Sequence, residues 1–73
     1  MIILYTIGCV NCNKLEERLR KNNIDFDISR DVDRLIEMGF ANAPILQIND
    51  NYYEFIDAMK MLSKFEQGKG VLE

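Results

Sequence analysis

The stretch Met1-Ile2-Ile3-Leu4-Tyr5-Thr6-Ile7-Gly8-Cys9-Val10-Asn11-Cys12 decides how the chain folds. Its first five residues are a continuous apolar run with β-branched and aromatic members, the pattern of a strand covered on both faces. From about Asn11 to Asn22 the apolar positions are Cys12, Leu15 and Leu19, spaced i, i+3, i+7 along one helical stripe. Lys14, Arg18 and Lys21 alternate there with Glu16 and Glu17, which reads as a solvated helix face. Asn22-Asn23 is a stop signal. A strand thus runs into a helix, and the two cysteines stand at the junction.

Working outward, Ile24-Asp25-Phe26-Asp27-Ile28 alternates strictly and predicts a second strand with one face open to water. A strand, a helix and a strand at this spacing close as a right-handed crossover, so the two strands should be parallel. Asp31 to Met38 predicts a short helix, with Asp31 as cap, Val32, Leu35 and Ile36 as stripe and Gly39 as stop. Ile45 to Ile48 is a third strand. Asn49-Asp50-Asn51 is a turn, and Tyr52-Tyr53-Glu54 a short fourth strand closing an antiparallel hairpin. Phe55 to Gln67 predicts a last helix with Phe55, Ala58, Met59, Leu62 and Phe65 as stripe and Gly68 as end. The expected fold is α/β in the order β-α-β-α-β-β-α, with strands one and three at the sheet centre. The domain is expected over 1–67. Residues 68–73 are expected to be a flexible tail, in which Leu72-Glu73 is of the kind a cloning scar leaves.

Length and charge narrow the function. The 73 residues make one domain, and a chain this short buries only about 60 % of its unfolded surface. Its 48 % hydrophobic content suffices for one efficient core. With 9 basic and 12 acidic residues the net charge is −3, which argues against nucleic acid as a partner. The chain has no histidine, so Ser-His and Cys-His nucleophile pairs, histidine metal ligands and histidine pH switches are excluded. Two cysteines are too few for a disulfide framework. No apolar run reaches the roughly 18 residues that span a bilayer, and no signal peptide is expected before the strand that begins at Met1. A monomeric cytoplasmic protein without membrane contact is the expectation. In that reducing compartment a close cysteine pair is catalytic or metal-binding rather than a structural clip.

The chemistry lies in Cys9-Val10-Asn11-Cys12. Unpaired amides of the first helical turn should point at the Cys9 sulfur, and the helix dipole favours negative charge there. Both stabilise thiolate, so the Cys9 pKa is expected to fall from about 8.5 into the range of about 3.5 to 7.5. Asn11 and Lys14 are the side chains expected to assist. Cys12 lies on the stripe beneath Cys9 and should be buried. One thiol would attack a substrate disulfide and the other resolve the mixed disulfide. Gly8 gives backbone freedom and room for a substrate chain. The lone proline, in Ala43-Pro44, stands where a strand begins.

This combination resembles the thioredoxin fold, and its shortness resembles a glutaredoxin-like member, over essentially residues 1 to 67. Tyr5-Thr6 before the motif, and Gly39-Phe40 followed by Ala43-Pro44, are also similar to that family. The resemblance implies a four-stranded mixed sheet with helices on both faces. It implies that Cys9 is the nucleophile and Cys12 the resolving thiol, and that Ala43-Pro44 is a cis-proline platform binding substrate together with Gly8 and Val10. It implies a disulfide reductase with no bound cofactor. Three departures stand out: Ile7 where the family commonly has lysine (with a loop to Cys9 one residue shorter), Val10-Asn11 where glutathione-dependent members carry proline and tyrosine, and Tyr53-Glu54 where a Gly-Gly pair precedes the last helix. The lysine and the glycines belong to the family's glutathione site. The Val-polar dipeptide is closer to the small glutaredoxin-like donors of ribonucleotide reductase, which draw electrons from thioredoxin reductase and NADPH. The resemblance leaves both electron donors, glutathione and thioredoxin reductase, open. The implied partner is a disulfide-containing protein such as ribonucleotide reductase.

Two rival readings stand beside it. Two thiolates are half of a tetrahedral zinc shell, so a metal-binding module would require a symmetric dimer. A redox-silent interaction domain would keep the fold alone. Tyr52, Tyr53 and Phe55 read as hairpin and core residues, Met38, Met59 and Met61 as fillers, and Asp25 and Asp27 as solvent-side strand residues.

Overall fold

The computed structural model describes residues 1–40 and 42–68. Their order is β1 (Ile2–Tyr5), α1 (Val10–Lys21), β2 (Asp27–Ser29), α2 (Val32–Glu37), β3 (Ile45–Ile48), β4 (Asn51–Glu54) and α3 (Phe55–Glu66). The four strands form one mixed sheet in the order β2-β1-β3-β4, so β1 and β3 are central as expected. The β1–β2 pair is parallel, and β3 runs antiparallel to both β1 and β4. The expected tail lies outside the described residues beyond Gly68.

The central strands read as apolar runs, broken only by Gln47, because both sheet faces are covered. Cross-strand partners sort by face. Leu4 opposes Leu46, which opposes Tyr53, and these meet Leu15 and Leu19 of α1 and Ala58 and Leu62 of α3. On the other face Tyr5 opposes Ile45, and Leu35 of α2 covers them with Ile3, Met38, Phe40 and Tyr52. Each buried leucine contributes about 1.5–3 kcal/mol, so the larger core under α1 and α3 carries most of the burial energy. The second face also holds a satisfied polar pair. The buried Tyr5 hydroxyl donates to Gln47 Oε1 at 2.8 Å, and Gln47 Nε2 donates to the Asn49 carbonyl at 2.8 Å.

Three expectations change. Ile24 and Phe26 are not strand residues. Asn23 adopts φ +57°, its amide donates to the Arg20 carbonyl and the Ile24 amide to the Leu19 carbonyl, closing α1 in a Schellman turn. Ile24 then packs on the larger core beside Phe26, which also faces the Arg20 guanidinium at 5.3 Å. The strand begins only at Asp27, and Ile28 is exposed. In α2, Leu35 and Met38 lie three residues apart and face the sheet, so Ile36, about 100° round the helix, points to water. Asp31 does cap α2, accepting the Arg34 amide, and Gly39 follows it at φ +91°. Finally, the hairpin turn is Asn49-Asp50, because Asn51 already pairs with Ile48.

Arg18 does not belong wholly to the solvated face of α1. Its guanidinium grips Glu66 of α3 through two nitrogens and also donates to Ser63. This fork, with a further bond from Asn22, lowers the Glu66 carboxyl from 4.5 to about 2. A carboxyl lowered on folding stabilises above its unfolded pKa. The contribution is therefore full above pH 4.5 and is lost as pH falls toward 2. Urea midpoints should drop more steeply across that window in the natural chain than in Glu66→Gln; parallel curves would show that the fork adds nothing.

Candidate functional site

Thr6 is buried where β1 ends, and its Oγ1 accepts the Gly8 amide at 3.1 Å. Gly8 then takes φ +78°, in open surroundings, so backbone conformation rather than crowding demands glycine there. That turn delivers Cys9 as the N-cap of α1, with ψ 170°. The Cys12 amide donates to Cys9 Sγ at 3.1 Å, and the Asn13 amide to the Cys9 carbonyl at 2.9 Å. The sulfur thus occupies the position that serine or aspartate fills at most helix starts.

Cys9 and Cys12 are joined as a disulfide, with their Cα atoms 4.9 Å apart. Cys9 is half-buried and Cys12 fully buried on the stripe with Leu15 and Leu19. The 0 % exposure of Cys12 leaves Cys9 as the only sulfur of the pair open to a partner. Val10 and Asn11 between them are exposed, Val10 at 71 %.

The loop before β3 meets this pair from the other side. The Ala43-Pro44 bond is cis, and the Ala43 carbonyl oxygen lies 3.9 Å from Cys9 Sγ. Residues 34 positions apart in sequence thus share one site. Ala43 and Pro44 line a groove of about 490 Å³ together with Asn11, Glu54, Phe55, Ile56 and Asp57. Lys14 is exposed on α1. Among the described residues, neither Asn11 nor Lys14 makes a side-chain hydrogen bond to the sulfur, whose polar neighbours are backbone groups.

The groove's far wall is not legible in the sequence pattern. Sequence reading places Glu54 at a strand end and Phe55 in the core, without relating them to the cysteines. The signal lay in the hairpin register: once Ile48 pairs with Asn51, Glu54 must oppose Ile45, next to Pro44.

No protein-family model, curated protein or solved structure matches the chain. Among the described residues no three His, Cys, Asp or Glu side chains group as a metal shell. None of the described helices is long and apolar enough to cross a membrane. The arrangement is a redox-capable or metal-capable cysteine pair at a helix start on an α/β domain.

Proposed function

We propose that the chain is a thiol–disulfide oxidoreductase of thioredoxin-like, glutaredoxin-type architecture. One observation carries this reading: Cys9 Sγ accepts an amide at the N-terminus of α1, bonds to a buried Cys12 and faces the carbonyl that precedes a cis proline. The α/β element order and the four-stranded mixed sheet are compatible with it.

In the reduced protein the Cys9 thiolate attacks one sulfur of a substrate disulfide. A Cys9–substrate disulfide forms, and the other substrate sulfur leaves as thiolate. Cys12 loses its proton and attacks Cys9 Sγ, expelling the second substrate thiolate and forming Cys9–Cys12. Two electrons pass to the substrate, and the two leaving thiolates take up protons. The sulfurs carry both electrons, so the cycle calls for no bound cofactor. Thioredoxin reductase with NADPH, or glutathione, would return the electrons in the cytoplasm, and the natural acceptor would be a protein disulfide.

Helix-start amides favour thiolate over thiol, which fits Cys9 for attack. Replacing Cys12 with serine removes the resolving sulfur. Reduced Cys12→Ser, mixed with a peptide disulfide, is expected to accumulate a one-to-one mixed disulfide at Cys9. Intact mass would show the adduct, and dithiothreitol would remove it. Absence of any adduct, with Cys9 free and the fold intact, rejects the mechanism.

A further inference from the structure

Beside the redox pair lies the groove walled by Glu54, Ile56 and Asp57 across from Ala43, Pro44 and Asn11. Glu54 and Asp57 are exposed, and among the described residues neither side chain forms a hydrogen bond or an ion pair. Glu54 is the N-cap of α3, yet its side chain caps nothing. The helix start supplies about half a positive charge against two carboxylates, so this wall stays negative. Among the described residues no lysine or arginine lines the groove. Ile56, 65 % exposed, adds an apolar surface at the same wall.

The groove's position gives the charge a meaning. Ala43 belongs to the groove and also stands 3.9 Å from the one accessible sulfur. A chain whose cysteine reaches Cys9 can lay its neighbouring residues, each spanning about 3.3–3.6 Å, along this groove, which begins at Ala43. We propose that the groove is the substrate subsite of the redox pair, and that it selects a cysteine-bearing protein segment with a cationic side chain over anionic thiols of the glutathione kind. This rests on the oxidoreductase reading and names its substrate class. The carboxylates attract lysine or arginine beside the reacting cysteine, and they repel the carboxylates of a small acidic peptide thiol.

The test uses the reduced full chain and two peptides. Each carries one cysteine in a mixed disulfide with the same chromogenic thiol, and they differ only in lysine or glutamate two residues from that cysteine. The second-order rate of chromophore release is expected to be about tenfold higher for the lysine peptide at low ionic strength. Salt should shrink the ratio to about twofold as screening shortens below the groove's dimensions. In the doubly substituted Glu54→Gln, Asp57→Asn chain the ratio should fall close to one. Equal rates for the two peptides, or a ratio that survives the double substitution, overturn the inference and leave the oxidoreductase reading standing. No release from either peptide overturns both.

Discussion

On the proposed oxidoreductase reading, Cys9→Ser is expected to lower the rate of disulfide reduction by at least about a thousandfold. Serine keeps the N-cap geometry, because its oxygen accepts the Cys12 amide as the sulfur does. What it loses is the nucleophile. A hydroxyl is essentially un-ionised near neutral pH, whereas a thiol held against helix-start amides is readily ionised. Cys12 offers no substitute, since it is fully buried. Reduction of a peptide disulfide under a fixed supply of reductant measures the effect, with circular dichroism to verify folding. A Cys9→Ser chain that kept a tenth of the natural rate would move the chemistry to another group.

Leu62→Ala should remove a large share of the folding stability. Leu62 is fully buried on α3, in the core that joins α1, α3 and the central strands. Truncations of this type cost about 2–5 kcal/mol. A chain of this length has a total stability of roughly 4–11 kcal/mol. Ile56→Ala, on the same helix but exposed, should stay within about 0.5 kcal/mol of the natural chain. Urea unfolding of the two variants makes the comparison. Similar midpoints would mean that α3 does not close the core.

Most of the fold is legible in the pattern of apolar residues because the sheet is covered on both faces. β1 and β3 must then be almost wholly apolar, with the one polar member, Gln47, satisfied by Tyr5 and Asn49, and the helices that cover them must carry stripes. The second strand misleads for a local reason. Ile24 and Phe26 share the spacing of a strand, but Ile24 is apolar because it seals the end of α1 against Leu19. An apolar residue two places after a helix stop serves either role, and only the φ +57° of Asn23 decides between them. Ile36 misleads because six residues of α2 are too few for a stripe to average out.

The cysteine pair is legible because spacing and the strand-to-helix junction are both local. The contact between Cys9 and Ala43 is not local, and only the family resemblance brings Pro44 to the cysteines at the level of sequence. The acidic wall was hidden more deeply. It depends on a two-residue turn rather than a three-residue one, and that single step of register decides what stands opposite Ile45.

The burial of Cys12 has a kinetic corollary on the proposed reading. A pair with one reachable sulfur has one doorway. Electrons enter and leave through the same atom, so the protein that recharges the pair and the protein that discharges it must take turns. No ternary complex of donor, carrier and acceptor can form, and the domain is a shuttle rather than a bridge.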